Sequence, residues 1–242
     1  RVAIKVVSAI VSGPSVAVER DAMSKIYRKF HGSKPHEVPL IVPCTEHPVG
    51  IPAAYDMRKF LTDGGDFPMP RFWIYVMPLA PCNLAEYIDR HGASMLLSDV
   101  THIVRQVGQG LHYFHSETGY VHRDLKLINV LIMREERPIA VALCDYGYAD
   151  RGSHSLGLSE LIAQPHMGPE LFDVNRTVDA SFDVYSLGHL ISTMCQKLQQ
   201  AATWVALRRL GKELCDVAPS RRPPLRDVYL RIATAEEDDS SC

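Results

Sequence analysis

Val121-His122-Arg123-Asp124-Leu125-Lys126-Leu127-Ile128-Asn129-Val130 places a carboxylate, an ammonium and a carboxamide among apolar residues, and sixteen residues after Asn129 comes Asp145-Tyr146-Gly147. Taken alone, an Asp and an Asn here fit a surface loop, since both side chains bond to nearby backbone and favour turns and helix starts. That reading leaves the rest of the chain unexplained. Upstream stands Val2-Ala3-Ile4-Lys5; downstream follow Gly168-Pro169-Glu170, Asp183-Val184-Tyr185-Ser186-Leu187-Gly188 and Ser220-Arg221-Arg222-Pro223, in that order.

In type, order and spacing these motifs resemble a protein kinase domain of the serine/threonine type, and the resemblance spans the whole chain. A lone His-Arg-Asp is a weak signal. His-Arg-Asp-Leu-Lys-x-x-Asn followed at this distance by Asp-aromatic-Gly is a strong one. The resemblance implies an α+β, two-lobed fold with a truncated small β lobe and a mainly helical large lobe. It also implies ATP and Mg2+, a protein substrate, and transfer of the γ-phosphate to its Ser or Thr hydroxyls. Such chemistry asks the protein to place two oxygens in line and to neutralise charge on the phosphates.

By this resemblance Asp124 is the base or hydroxyl-orienting group, Lys126 neutralises the moving phosphate, and Asn129 and Asp145 hold the metal. Lysine at position 126 is typical of serine/threonine kinases. Lys5 would pair with the nucleotide phosphates, Met77 would be the gatekeeper, and the Pro78-Leu79-Ala80-Pro81 hinge would offer adenine its backbone groups around Leu79. Ala3 and Leu131 would close on the two faces of the ring. Arg123 would pair with a phosphate on the activation segment, where Ser153, Ser155 and Ser159 carry hydroxyls. Tyr146 replaces the usual phenylalanine; its ring would stack on His122 and Met23, and its hydroxyl needs a partner. Cys144 reads as a small hydrophobe lining the back of the nucleotide pocket. Glu170 and Arg222 are expected to form a buried salt bridge tying the activation segment to the last helices.

With 242 residues the chain is long enough for one large domain or two small lobes sharing a cleft. Residues 1–79 read as the small lobe, 80–234 as the large lobe and 235–242 as an acidic tail. A net charge of −2, and no basic run longer than Arg208-Arg209 or Arg221-Arg222, give no argument for nucleic acid or an anionic membrane surface as partner. The six cysteines lack CxxC spacing, which suits reduced thiols in the cytosol or nucleus. No apolar run reaches the roughly 18 to 20 residues needed to cross a bilayer. His112 and His115, at helical spacing, fit a partly buried structural role better than a metal site. Nothing in the sequence specifies an oligomeric state.

β-branched residues predict a strand over 2–10. Val16, Met23, Ile26, Tyr27 and Phe30 share one face of a helix over 15–30, with Ser15 as N-cap and Gly32 as stop. Glu19 on that helix is the expected partner of Lys5. Glu37 is the rival, but Pro39 and Pro43 argue against a continuous helix there, since an interior proline costs about 3 kcal/mol. The Pro- and Gly-rich segment 32–70 reads as an irregular connection with one strand. A strand follows over 71–77, then a short helix over 83–88 and a long one over 98–115.

Departures from the family pattern raise a second reading. The chain starts on the lysine strand, without initiator methionine or Gly-rich loop, as a fragment or trimmed piece would. Ile162-Ala163 replaces the usual Gly-Thr, whose hydroxyl bridges base and lysine, and the stretch 196–204 is short. A pseudokinase would keep the same fold as a nucleotide-binding or scaffolding module; Lys5, Asp124, Asn129 and Asp145 together favour the enzyme. Lys126, Pro169-Glu170 and Arg222 disfavour a small-molecule phosphotransferase.

Overall fold

Two antiparallel three-stranded sheets, five helices from Leu84 onward and helical residues at 18–19, 21–22 and 25 make up the architecture among residues 2–8, 18–19, 21–22, 25, 45–46, 72–151, 164–172 and 178–240, which the computed structural model describes. In the first sheet β3 (Phe72–Pro78) lies between β1 (Val2–Ser8) and β2 (Thr45–Glu46), in register Ala3 to Met77, Lys5 to Tyr75 and Glu46 to Tyr75. Pro78 ends β3 opposite Val2, so the connection to the large lobe starts at Leu79, one residue later than the sequence suggested. Proline has no N–H for the ladder, and a strand terminus tolerates that loss. Val18, Glu19, Asp21, Ala22 and Lys25 are helical, as the pattern over 15–30 predicts, and Ala22 is fully buried.

The second sheet, β4 (Cys82–Asn83), β5 (Val130–Arg134) and β6 (Ala140–Leu143), has β5 at its centre and carries the chain out of the Asp124 loop. Helix α1 (Leu84–His91) is entered through a capping box: Glu86 N–H donates to Asn83 Oδ1 at 3.0 Å, and Asn83 N–H to Glu86 Oε2 at 3.1 Å. Asn83 is therefore the cap and not the first helical residue, because a short amide satisfies the orphan N–H groups best from outside the helix. Helix α2 (Leu97–Thr118) outruns the expected end at His115 by three residues. Gly119, at φ +70°, stops it in the left-handed conformation that glycine adopts without a Cβ penalty, and donates to His115 O at 2.9 Å.

Helices α3 (Ser181–Lys197), α4 (Val205–Leu214) and α5 (Leu225–Ser240) complete the large lobe. Val100, Ile103, Val104, Val107, Leu111 and Phe114 of α2 are all fully buried in one apolar core, with Leu187 and Ile191 of α3, Leu207 and Leu214 of α4, and Val228 and Ile232 of α5. Helices α3 and α4 touch backbone to backbone. A Cβ on Gly188 would sit 2.6 Å from Leu214 Cβ and 2.7 Å from Gly211 O.

The acidic tail expected over 235–242 is not a separate tail as far as Ser240. The sequence signal was charge alone, yet α5 runs to Ser240 and is docked. Asp239 accepts from Ala206 N at 2.7 Å and Leu207 N at 2.9 Å, capping α4 from another helix, and Glu236 pairs with Arg105 at 3.1 Å. No helix among the described residues is long and apolar enough to cross a membrane.

Candidate active site

The loop that carries Asp124 is hung on one carboxylate. Asp183, fully buried in the first turn of α3, accepts His122 N–H at 2.7 Å and Arg123 N–H at 2.9 Å, and His115 Nε2 lies 2.7 Å from it. Burial pushes the Asp183 carboxyl up, but the hydrogen bond and charge of His115 and the His122 backbone N–H together hold it below the usual range. Arg123 sits at φ +67°, a conformation that costs a non-glycine residue and persists because both sides of it are anchored. His122 Nε2 meets Cys144 O at 3.1 Å while its Nδ1 accepts from Asp124 N at 3.3 Å, which assigns the ring proton to Nε2. One imidazole thus ties the Asp124 loop to the Asp145 segment.

Asp124 is 2% exposed, and three side chains donate to its carboxylate. Oδ1 accepts from His166 Nε2 at 2.8 Å and Lys126 Nζ at 2.9 Å; Oδ2 accepts from Asn129 Nδ2 at 2.8 Å, and the Lys126 ammonium stands 2.9 Å from it as ion-pair partner. Burial opposes its ionisation, and the bonds and charges of His166 and Lys126 outweigh it, so the group stays a carboxylate well below neutral pH. The side chain of Lys126 is 32% exposed and that of His166 only 5%. Lys126 is therefore the donor that can swing away.

Asn129 Nδ2 also donates to Asp124 O at 2.8 Å, so its amide nitrogen is spent on the loop and its carbonyl oxygen is the end left for a ligand. Asp145, exposed and at φ +64°, follows Cys144, whose N–H donates to Asn129 O at 3.0 Å. That bond holds the two sequence-distant segments side by side. Tyr146 is 1% exposed, stacks on Phe114 at 4.8 Å and tilts against His122 at 5.2 Å, and its hydroxyl donates to Leu143 O at 2.9 Å. The expected contact with His122 is present but tilted, the stacked partner being Phe114, and the extra hydroxyl is satisfied; Met23 lies outside the described residues. Cys144 Sγ meets Asn129 O at 3.4 Å.

Further expectations meet a different arrangement or fall partly on residues outside the described ones. Arg123 is 3% exposed, and its Nη1 already donates to Asp150 Oδ2 at 2.6 Å, where the sequence pointed to a phosphate. Ser153, Ser155 and Ser159 lie outside the described residues, as do Ile162, Ala163 and Glu37. Glu19 is 5% exposed, so it does not face solvent, but the side chain of Lys5 is not among the described ones. Ala3 stands opposite Met77, Leu79 is 49% exposed just beyond β3, and Leu131 pairs with Asn83 and Ala142. His115 serves Asp183, and His112 packs edge-on to Tyr229; no trio of His, Cys, Asp or Glu among the described residues is arranged to hold a metal.

The salt bridge expected from Glu170 and Arg222 is present and bidentate, Nη1 to Oε1 at 2.5 Å and Nη2 to Oε2 at 2.8 Å. Sequence reading missed His166. The available signal was a hydrogen-bonding ring four positions before Glu170, close to where the family hydroxyl is lost at Ala163.

A loop aspartate anchored from the helix behind it, beside an asparagine and an Asp-aromatic-Gly segment, fits the requirements of a phosphoryl-transfer site. In agreement, residues 64–205, more than half of the chain, match the protein kinase domain family. The chain belongs to that family. It is 27% identical over 192 residues to Serine/threonine-protein kinase ATG1b of Arabidopsis thaliana, covering 75% of this chain and 24% of the relative. Identity is 36% over 169 residues to a dual serine/threonine and tyrosine protein kinase of Strongylocentrotus purpuratus, with 58% and 17% covered. It is 32% over 154 residues to Serine/threonine-protein kinase 1 of Orgyia pseudotsugata multicapsid polyhedrosis virus, with 63% and 52% covered. The chain thus spans between 17% and 52% of the length of these relatives.

Proposed function

We propose that the chain is the catalytic domain of an ATP- and Mg2+-dependent kinase that phosphorylates Ser or Thr hydroxyls of protein substrates. The observation that carries this reading is the state of Asp124: buried, ionised, and held on both oxygens at the end of a loop anchored to Asp183. A carboxylate so placed can accept a hydrogen bond from an incoming hydroxyl and align it. Three side chains crowd its oxygens, and room for that hydroxyl opens when Lys126 leaves. Lys126 would exchange its carboxylate for the phosphate being transferred, so that one movement both admits the hydroxyl and places a cation on the developing charge.

Asn129 and Asp145 fit a divalent metal. They offer a carboxamide oxygen and a carboxylate, the hard oxygen donors that Mg2+ takes, on segments tied by the Cys144 to Asn129 hydrogen bond. When bound, the metal neutralises charge on the phosphates. Lys5 would hold those phosphates from β1, with Glu19 as its ion-pair partner, and adenine would lie between Ala3 and Leu131 beside the segment from Met77 to Leu79. Cys82, Cys144, Cys195 and Cys215 are free thiols, which supports a reducing cytosolic or nuclear compartment.

The test is γ-phosphate transfer from radiolabelled ATP by the full-length protein. Asp124→Asn is expected to lose about 10²- to 10⁴-fold in rate. Phosphoamino acid analysis of the product should give phosphoserine or phosphothreonine, and phosphotyrosine as the main product would refute that specificity. A variant that turns over like the parent would refute the role of Asp124.

A further inference from the structure

Asp124 is held by three side chains, and two of them belong to the loop itself. Lys126 and Asn129 are two and five positions away, and Lys126 is the exposed, movable one. The third, His166, comes from 42 positions downstream and is 4% exposed. Its backbone is fixed as well: Ser186 Oγ, on α3, donates to His166 O at 2.7 Å, and Met167 N–H closes the turn onto Gln164 O at 2.9 Å. The same helix that anchors the loop through Asp183 therefore also anchors the ring that grips the carboxylate.

The geometry shows what this grip does. The terminal torsion of an aspartate is soft and roughly two-fold, so one bond does not stop the carboxylate from turning. Asn129 pins Oδ2 and His166 pins Oδ1, both at 2.8 Å. Two fixed donors on opposite oxygens define the carboxylate plane even after Lys126 has left. In the serine/threonine kinases that this chain resembles, a threonine hydroxyl before the Pro-Glu motif bridges base and lysine; here that position is Ala163, which has no donor.

We propose that His166 is a positioning residue for phosphoryl transfer, its imidazole N–H replacing the absent threonine hydroxyl and holding the Asp124 carboxylate at the angle the substrate hydroxyl requires. This rests on the reading of Asp124 as the hydroxyl-orienting group. Around the ring stand Asp124, Lys126 beyond it, and His189 of α3 with its ring centre at 6.4 Å. Burial, and then the neighbouring imidazole, lower the affinity of His189 for a proton, so Asp124 and Lys126 supply the formal charge on this side of the ring.

The experiment compares His166→Ala, His166→Gln and Asp124→Asn with the parent in the full-length protein. His166→Ala should lower kcat about 10- to 100-fold, the scale on which a misplaced catalytic group costs rate, while KM for ATP changes less than about twofold. His166→Gln, which puts an amide N–H at similar reach, should recover most of kcat. If Gln is no better than Ala and both variants melt lower by the same amount, the ring is merely structural and the inference is overturned. A kcat for His166→Ala within about twofold of the parent overturns it too. A separate arm reads the bond itself by NMR: the parent should show a downfield, slowly exchanging imidazole N–H that disappears in His166→Gln and in Asp124→Ala. If Asp124→Ala leaves that resonance unmoved, the inference falls even where the parent transfers phosphate. A parent that transfers no phosphate, with Asp124→Asn no different, overturns the proposed function, and the positioning role falls with it.

Discussion

Arg222→Ala should destabilise the large lobe more than most single surface changes, and the structure sets the scale. The Arg222 and Glu170 side chains are 0% and 3% exposed. Besides its two bonds to Glu170, Arg222 donates from Nε to Asp216 O at 2.8 Å and from Nη1 to Ser181 O at 3.1 Å, and its guanidinium lies 4.9 Å from the Tyr185 ring centre. Truncation leaves a carboxylate buried without its counter-charge and takes a donor from two carbonyls. Stranding one partner of a dry ion pair costs about 3 to 5 kcal/mol. For a chain of this size each kcal/mol moves the melting temperature by about 2 to 4 °C, so the expected fall is about 6 to 20 °C. Arg221 is exposed and forms no ion pair among the described residues; Arg221→Ala should stay within about 0.5 kcal/mol of the parent. Arg222→Lys should recover little, because a point charge on a flexible stem does not copy a planar fork. Replacing both partners, Glu170→Leu with Arg222→Met, should cost less than Arg222→Ala alone, since no charge is then stranded. Differential scanning calorimetry of the five proteins decides it. Equal melting points for Arg221→Ala and Arg222→Ala would refute the reasoning, as would a double variant that melts below Arg222→Ala.

Gly188→Ala should lower stability by about 1 to 3 kcal/mol, because the new methyl meets Leu214 Cβ and the Gly211 carbonyl at less than contact distance and neither can swivel away; an unchanged urea midpoint would contradict the close α3–α4 crossing. Asp183 has its folded-state pKa depressed, so its contribution is complete above the ordinary aspartate value of about 3.9 and is lost as pH falls below it; the penalty of Asp183→Ala, measured by denaturant melts, should be full at pH 7 and shrink towards pH 3. A penalty independent of pH would show that the carboxylate charge is not what holds the loop. Asp239→Ala should cost about 1 kcal/mol through the loss of the α4 cap, and hydrogen exchange should quicken first at Ala206 and Leu207.

Where the chemistry depends on residues close in sequence, the chain alone was legible. Asp124, Lys126 and Asn129 lie within one loop, and local geometry brings them together; the long apolar repeat of α2 could only be a buried helix. Tyr146 beside His122, and Glu170 with Arg222, could be placed because their motifs resemble the protein kinase pattern, in which these groups meet. Asn83 as cap and Gly119 as stop moved helix ends by one to three residues, since a cap is settled by which orphan backbone group it reaches.

Other features were decided by the tertiary structure. Asp239 caps α4 across 33 residues, which turns an apparently dispensable acidic end into part of the lobe. Asp150 occupies the Arg123 guanidinium only because the backbone of Val121 pairs with that of Asp150 in a short bridge. His166 reaches Asp124 because α3 holds both the turn before Glu170 and the loop after α2. The sequence determines which groups are available and which must be buried. Which of them meet across tens of residues follows from how helices and loops pack, because a hydrogen bond at 2.8 Å depends on the sum of all the rigid placements between its ends.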